Sequence, residues 1–296
     1  MTALDGPARL ARLATSRGCA VSHLVHMDCP PCSLHCERMA STGLAASQVV
    51  DKSSGRTPEA GSHRSRSLAR MWDKRVDRWH AHVFDTPGFA LLRTELLSQV
   101  DPQPGERIID LGAGDGFLTL PLARSGAAVL AVDISPAMAQ ACADAAAREG
   151  LDVQTIVTDL AHLDLPVASA DVIVSSYALH HLSDRDKRLL LERAHRWLAP
   201  GGRLVLADMM IGRGATLADR RIILAKIRSM LRKGPAGLWR IAKNAVRFAL
   251  RTGSEQPITL AAWTKLLTGA GFTHVAGSHI IAEAGIVSAR RGRTAG

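Results

Sequence analysis

The feature that most constrains this chain is a short apolar run that ends in an aspartate and three closely spaced glycines. The run IIDLGAGDG spans Ile108 to Gly116, with glycines at 112, 114 and 116. Glycine lets a backbone turn sharply and approach a ligand closely, so the run predicts a buried strand, a tight turn and a helix. A turn that holds no ligand would also fit this run.

The spacing of the glycines separates two kinds of ligand. Phe117 stands where the GxGxxG turn of a pyrophosphate-binding site has its third glycine. The carboxylate of Asp115 would also repel the phosphates of a dinucleotide, whereas it is compatible with a cation. The turn therefore favours a ligand other than a dinucleotide.

The sequence around this turn alternates between strand and helix signals. Five strands separated by helices predict an α/β fold with a doubly wound, mostly parallel sheet. Ser135 and Ser183 are placed to cap helices, and Gly150 to end one. The predicted strands are Arg107–Leu111, Val129–Asp133, Val153–Thr158, Val172–Ser176 and Arg203–Asp208, and two more follow at Phe272–Val275 and Ile280–Ala289.

The alternation covers only part of the chain. Residues 1–68 have no helical or strand period and are rich in Ser, Gly, Arg and Pro towards their end, which predicts a disordered extension before a domain at 69–296. Within that domain, residues 215–255 form a predicted helical insert. The extension contains Cys29, Cys32 and Cys36, which with two nearby histidines could bind zinc. Because no second pair of ligands or surrounding core accompanies them, we predict no metal site.

Positive charge is concentrated in the insert. Residues 213–255 contain 11 Lys and Arg against 2 Asp and Glu, whereas residues 71–212 contain 13 against 19. Arg240, Lys243, Arg247 and Arg251 share one predicted helix face. Three interpretations stay open for this face: a plain lid over a substrate, a lid that contacts an anionic membrane, and a nucleic-acid contact. The first two are favoured because the block that carries the glycine turn is acidic.

Aspartates end the first three predicted strands. Asp110, Asp133 and Asp159 would meet at one edge of the sheet, because the carboxyl ends of parallel strands lie together. A carboxylate 23 positions after Asp110 can accept hydrogen bonds from both hydroxyls of a ribose. Asp159 could accept from an exocyclic amine, although an aspartate in a turn is an equally good explanation of that residue.

Taken in order, these motifs resemble those of class I S-adenosyl-L-methionine (SAM)-dependent methyltransferases. The resemblance covers roughly residues 72–290 and is carried by IIDLGAGDG, VDISPAM, TDL, DVIVSSYALHHLSD and LAPGGRLVLAD. It is closest to the small-molecule group (methyltransferase types 11 and 25), which includes quinone methyltransferases. It implies a Rossmann-like, seven-stranded sheet with a reversed last hairpin and SAM as the methyl donor.

The resemblance also implies roles for individual residues. Asp110 and the three glycines would hold the methionine part of SAM, and Asp133 its ribose. The adenine would lie between Ile134 and Met138, with its edge read by Asp159 and Leu160. The cofactor-binding residues expected are therefore Asp110, Gly112, Gly114, Gly116, Asp133, Ile134, Met138, Asp159, Leu160 and Ser175.

The acceptor is expected beside the end of the fourth strand. Methyl transfer needs the nucleophile, the methyl carbon and the sulfur in line, and some acceptors also need a base. His180 and His181 are candidates because imidazole titrates near neutral pH, and Tyr177 could orient a substrate. Trp72 and Trp79 lie seven residues apart on one predicted helix face, which either closes over the cleft or packs on the sheet.

The function expected is methyl transfer from SAM to a small-molecule acceptor, with an apolar or quinone-like acceptor preferred. A nucleic-acid methylase recruited by the insert and a SAM-binding regulator without turnover are the alternatives. No apolar run reaches the roughly 18 residues of a membrane span, and no signal-peptide pattern is present. We therefore expect a cytoplasmic protein, which would be peripheral to the inner membrane face if residues 215–251 contact lipid.

Overall fold

The computed structural model describes residues 62–76, 79, 87–212, 220, 221, 224, 227, 228, 231, 234, 239 and 255–293. Three sequence predictions fall wholly or largely on other residues and stay predictions: the disordered extension, the cysteine cluster and the charged face of the insert.

Seven strands form one sheet in the order β3-β2-β1-β4-β5-β7-β6. Strands β1 to β5 are mutually parallel, whereas β7 pairs antiparallel with both β5 and β6. The predicted α/β sheet with a reversed last hairpin is therefore confirmed. The strands are β1 Arg107–Leu111, β2 Ala128–Asp133, β3 Val153–Val157, β4 Ala170–Ser176, β5 Leu198–Met209, β6 Thr273–Ile281 and β7 Ala284–Arg290.

Six helices and one short 3-10 turn accompany the sheet in the described part of the chain. Ser135 and Ser183 each accept a hydrogen bond from a backbone N–H in the first turn of the helix that follows, and Gly150 ends a helix at φ 64°. These three boundaries agree with the sequence signals. The helices are α1 His63–Asp73, α2 Pro87–Val100, α3 Thr119–Arg124, α4 Pro136–Glu149, α5 Asp184–Trp197 and α6 Leu260–Gly269, with the 3-10 turn at Leu179–His181.

Apolar side chains cover both faces of the sheet. On one face Trp197 and Trp263 are fully buried against the strands, and on the other Leu92 and Leu96 of α2 are. Burying side chains of this size stabilises a fold by roughly 1.5–3 kcal/mol each. Both faces are therefore occupied by core, which leaves the edge formed by the strand ends as the place for a ligand.

Two boundaries differ from the sequence predictions. Helix α1 begins at His63, inside the segment predicted to be disordered, and Asp73 at its end accepts from the Ser135 hydroxyl at 2.5 Å. Strand β5 begins at Leu198, because the Pro-Gly-Gly run that was expected to separate helix from strand lies within the strand. Gly201 and Gly202 exchange backbone hydrogen bonds with Arg291, which continues the pairing beyond β7.

Candidate active site

A cavity opens at the carboxyl ends of β1, β2 and β4 and is covered in part by α1. It joins polar groups from the strand ends to aromatic side chains from other segments. Its described lining contains three aspartates and neither lysine nor arginine. The lining residues are Leu68, Trp72, Trp79, Phe89, Asp110, Gly112, Ala113, Gly114, Phe117, Leu118, Asp133, Ile134, Met138, Asp159, Leu160, Ser176, Tyr177, Ala178, His181 and Leu182.

The glycine turn forms the floor of this cavity. Gly112 has φ +79°, and a Cβ there would lie 2.2 Å from the Cβ of Ala178. Gly114 also has a positive φ, and its N–H donates to Asp133 Oδ2 at 2.9 Å. Gly112 is therefore needed for close approach between the turn and the loop after β4, whereas Gly114 serves the turn through its positive φ.

Gly116 has a different role from the one predicted. It does not line the cavity, and a Cβ there would lie 3.1 Å from the sulfur of Cys142 on α4. Its missing side chain lets the start of the next helix pack against α4. The prediction that Gly116 binds the cofactor directly is therefore not supported by its position.

Asp110 is the penultimate residue of β1 and lies beneath the glycine turn. Its side chain is buried, and the Thr119 hydroxyl donates to Oδ2 at 2.7 Å. Burial raises the pKa of Asp110 to about 7, because the bond from Thr119 opposes this rise only in part and the charge of Asp133 adds to it. This carboxyl group can therefore change its charge near neutral pH.

Asp133 ends β2 and lies at 9% exposure on the cavity wall. The N–H of Gly114 donates to Oδ2 at 2.9 Å and that of Ser135 to Oδ1 at 2.8 Å. Burial raises the pKa of Asp133 even though these bonds oppose the rise. Each oxygen has a second lone pair, so the carboxylate is held in place and can still accept bonds from a diol.

The third aspartate lies at the end of the cavity lined by Ile134, Met138 and Leu160. Asp159 Oδ1 accepts from the N–H of Ala161 at 2.9 Å. These apolar side chains could contact both faces of a planar base while the carboxylate reads its edge. The residues predicted to surround adenine are therefore brought together.

Helix α1 covers this region through polar contacts to three different loops. The Ser65 hydroxyl donates to Asp159 Oδ2 at 2.5 Å, and Arg64 donates to the carbonyl oxygen of His181 at 3.3 Å. Asp73 accepts from Ser135 at the far end of the helix. Between them, Leu68 and Trp72 line the cavity. A ligand that fills the cavity would therefore lie beneath α1.

The loop after β4 supplies the remaining polar groups of the cavity. Tyr177 has φ +52°, an unusual conformation for a residue with a side chain, and its N–H donates to the carbonyl of Ala207 at 2.9 Å. Burial, together with the charges of Glu283 and Asp208, raises the pKa of the Tyr177 phenol. Tyr177 and His181 both line the cavity, as expected for groups that contact an acceptor.

His180 points away from the cavity, contrary to the prediction that it is catalytic. Its Nδ1 lies 2.6 Å from Asp208 Oδ1, its backbone N–H donates to Asp208 Oδ2, and the residue is 6% exposed. Burial lowers the pKa of His180, but the charge of Asp208 and its hydrogen bond outweigh burial and raise it. The pair anchors the 3-10 turn, which presents the neighbouring His181 to the cavity.

Ser175 was also predicted to contact the cofactor, but it is buried inside the sheet. Its hydroxyl donates to the carbonyl oxygen of Leu111 at 2.6 Å, which ties β4 to β1. Strand residues alternate between faces, and Ser176 lines the cavity instead. Ser175 therefore supports the site without facing it.

The sequence did not assign Leu68, Phe89 or Phe117 to the site. It left open whether Trp72 and Trp79 close over the cleft or pack on the sheet. All five line the cavity. Their spacing in helices resembles that of ordinary core residues, so no local signal separated the two cases. No group of three or more His, Cys, Asp or Glu side chains suited to a metal occurs among the described residues.

Comparisons with known proteins agree with this geometry. Residues 108–202 match the model of a methyltransferase domain family. The chain is 31% identical over 158 residues to a carboxy-S-adenosyl-L-methionine synthase of Photobacterium profundum, which covers 49% of this chain and 64% of the relative. It is 35% identical over 115 residues to an uncharacterized methyltransferase of Bacillus licheniformis, which covers 38% and 52%. The matches thus span less than two thirds of either relative.

A solved structure shares the fold. The phosphoethanolamine N-methyltransferase 2 of Haemonchus contortus, in complex with SAM, superposes with a TM-score of 0.59 at 15% identity, over 80% of this chain and 62% of that one. The domain match, the strand order and the three aspartates around a glycine turn lead to one conclusion. Residues 108–202 form a methyltransferase domain, and the described part of the chain has the fold of the class I SAM-dependent methyltransferases.

Proposed function

We propose that this protein transfers a methyl group from SAM to a small-molecule acceptor. The observation that carries the proposal is the convergence of Asp110, Asp133 and Asp159 with the glycine turn on one cavity. Asp133 would bind the ribose hydroxyls, Asp110 and the turn the methionine ammonium, and Asp159 with Leu160 the adenine edge. Bound SAM would supply an electrophilic methyl group, and these residues would orient it towards the loop after β4.

The chain's own residues would do three things in this reaction. The polar contacts of α1 would hold the cover that keeps water from the sulfonium. Tyr177 would orient the acceptor. His181 would accept a proton from an acceptor hydroxyl or N–H, since among the described histidines it is the one that lines the cavity. His180 and Asp208 would keep the 3-10 turn in place without contacting substrate.

A related possibility comes from the relative named as a carboxy-S-adenosyl-L-methionine synthase. A carboxylate in the cavity would call for a cationic partner. The described lining contains aspartates and neither lysine nor arginine. This supports methyl transfer over a reaction that places a carboxylate beside the sulfonium. The lack of lysine and arginine in this described lining also favours a small acceptor over a nucleic acid, whose phosphates would have no cationic partner there.

We also propose a cytoplasmic protein that contacts anionic membranes through residues 215–251. Three described residues of this segment expose apolar side chains, with Leu224 at 52%, Leu231 at 47% and Trp239 at 72% exposure. Exposed apolar groups beside many basic residues suit a membrane interface. None of the described helices is long and apolar enough to cross a membrane.

Asp133→Ala is expected to weaken SAM binding at least a hundredfold, because two hydrogen bonds to a charged acceptor are lost and each contributes about 1.5–3 kcal/mol. Isothermal titration calorimetry with the wild type and the variant measures this. NAD is the control ligand and should bind neither protein. Asp133→Asn keeps one carbonyl oxygen, so its affinity for SAM should lie between those of the wild type and Asp133→Ala. Equal SAM affinity in all three proteins would contradict the ribose assignment.

The two neighbouring histidines are expected to respond differently to substitution. His180→Ala should destabilise the fold by about 3 kcal/mol, because it leaves the Asp208 carboxylate buried without its partner. Since the folded-state pKa of His180 is raised, its stabilising effect is fully present below the unfolded pKa and declines as pH rises through the folded value. The difference in melting temperature between wild type and variant should therefore be larger at pH 5.5 than at pH 8.

His181→Gln should instead leave the melting temperature nearly unchanged and lower methyl transfer at least a hundredfold if the acceptor needs a base. Transfer is measured with radiolabelled SAM and a metabolite extract. The assignment of the two roles would be reversed if His180→Ala spared the melting temperature and His181→Gln lowered it.

A further inference from the structure

We infer that the acceptor is a flat, uncharged aromatic molecule that bears a hydroxyl or a ring N–H, and that a closed belt of aromatic side chains selects it. The inference rests on the proposed methyl transfer. The members of this aromatic belt come from four parts of the chain: α1, a helical residue shortly after it, α2, and the loop with its 3-10 turn after β4. They are Trp72, Trp79, Phe89, Tyr177, His180 and His181.

The belt closes on itself. Each side chain lies beside the next, and the last returns to the first. Four of the six contacts are edge-to-face, an arrangement that aromatic pairs prefer, and two are tilted. Neighbouring ring centroids are 4.2–6.4 Å apart, in the order Trp72, Trp79, Phe89, Tyr177, His180, His181 and back to Trp72.

Five members of the belt line the cavity. The sixth, His180, lies behind them and is held by Asp208. The whole chain has only five tryptophans, five phenylalanines and one tyrosine. Four of those eleven are in the belt, and Phe117 lines the same cavity. Most of the core is aliphatic, so aromatic side chains are not needed here merely to fill space. Their concentration indicates a ligand that gains from aromatic contact.

The charges of the cavity argue against an anionic acceptor. Asp110, Asp133 and Asp159 line it, and no lysine or arginine does so among the described residues. A carboxylate or phosphate on the acceptor would lose its hydration there without a lysine or arginine from this lining as its partner. The acceptor is therefore neutral or cationic.

The cofactor argues against a cationic acceptor. In the complex that reacts, the sulfonium of SAM already brings a positive charge to the cavity, and an ammonium within reach of the methyl group would be repelled by it. A neutral ring has no such penalty and can contact the belt through its faces and edges. Tyr177 and His181 are left as hydrogen-bond partners for one polar group on the edge of the acceptor ring. The oxygen or nitrogen of that group is the atom placed to receive the methyl group.

Three probes with one ring system test this inference: 2-naphthol, 2-naphthoate and protonated 2-naphthylmethylamine. Their binding to the full chain is measured by calorimetry at pH 7.5, first saturated with S-adenosylhomocysteine and then with SAM. We expect 2-naphthol to bind at least tenfold more tightly than 2-naphthoate in both complexes. The ammonium probe should bind less tightly with SAM than with S-adenosylhomocysteine, whose sulfur is neutral, whereas 2-naphthol should not change.

A pair of matched variants links this preference to the belt. Phe89→Leu keeps an apolar side chain and removes the ring, and should weaken 2-naphthol binding on the order of fivefold. Phe272→Leu is the control, because Phe272 is buried in the core on the other side of the sheet and does not line the cavity. Both variants should bind S-adenosylhomocysteine as the wild type does.

The outcomes separate this inference from the proposed function. If S-adenosylhomocysteine binds but 2-naphthoate or the ammonium probe binds best, the acceptor class is wrong and methyl transfer still stands. If 2-naphthol binds equally to the wild type and to Phe89→Leu, the belt does not select the acceptor. If neither SAM nor S-adenosylhomocysteine binds, the proposed function fails and this inference fails with it.

Discussion

Gly112→Ala is expected to abolish measurable SAM binding and to lower the melting temperature of the protein. At φ +79° an alanine is strained, and its Cβ would lie 2.2 Å from the Cβ of Ala178, a distance that real contacts do not reach. The turn or the loop after β4 must therefore move. Because both line the cavity, either movement separates the methionine end of the site from Tyr177 and His181. Calorimetry with SAM and thermal unfolding measure the two effects.

Two further variants separate backbone strain from the clash. Gly105 has nearly the same φ, +80°, and a Cβ there would have no other atom within 4 Å, so Gly105→Ala measures strain alone. It should destabilise the protein by about 1 kcal/mol and leave SAM binding unchanged. The double variant Gly112→Ala with Ala178→Gly removes the clashing carbon, because the nearest remaining atom would be Cα of residue 178 at 3.6 Å. It should recover part of the SAM affinity. Equal loss in the single and double variants would show that the close approach is not what the glycine serves.

The sheet and the cofactor end of the site could be predicted from the sequence because their signals are local. A buried strand, a glycine turn and a helix cap lie within a few residues of one another, and parallel strands bring their carboxyl ends together whatever else the fold contains. This is why Asp110, Asp133 and Asp159 were predicted to meet, and they do. Ile134 and Met138 follow directly from the end of β2, so their position was equally constrained.

The acceptor end could be predicted only in outline, because it depends on details of the backbone that leave no local signal. Tyr177 has a positive φ and a 3-10 turn follows it, so the strand's alternation of faces is lost before the two histidines. Whether His180 or His181 faces the cavity was then decided by Asp208, which lies 28 residues away and binds His180. A sequence pattern does not show such a partner.

The aromatic belt could not be predicted for the same reason, because its members are far apart in the sequence. Trp72 and Trp79 come from the chain before the sheet, and Phe89 from α2. In each segment a lone aromatic residue at helical spacing predicts core, and only their meeting around one cavity indicates a site. Helix α1 was partly assigned to the extension, because its contacts to Asp159 and Ser135 are tertiary and its own sequence is polar.

Asp110→Asn is expected to make the protein more stable and at the same time unable to bind SAM tightly. The pKa of Asp110 is raised to about 7 in the fold, well above the 3.8 that is ordinary for an aspartate. Between these two values the folded state holds the proton more tightly than the unfolded state, so this group lowers stability as pH rises from 4 to 7. Asparagine is neutral at every pH and can still accept the bond from Thr119. The variant should therefore melt about 5 °C higher than the wild type at pH 7.5 and at nearly the same temperature at pH 4.

The affinity of Asp110→Asn for SAM should fall, whereas its stability rises. If the ionised Asp110 holds the methionine ammonium of SAM, wild-type affinity should rise about fivefold between pH 6 and pH 7, as a group with pKa near 7 loses its proton. In Asp110→Asn this dependence should disappear, and binding at pH 7.5 should be about a hundredfold weaker, since a charge-assisted bond is lost. Asp144→Asn on the exposed face of α4 is the control and should alter neither property. A variant that lost stability at pH 7.5, or kept the pH dependence of SAM binding, would show that the buried carboxyl group is not ionised for the cofactor. The combination of higher stability and weaker binding is what distinguishes a carboxylate kept buried for a ligand from one that holds the fold together.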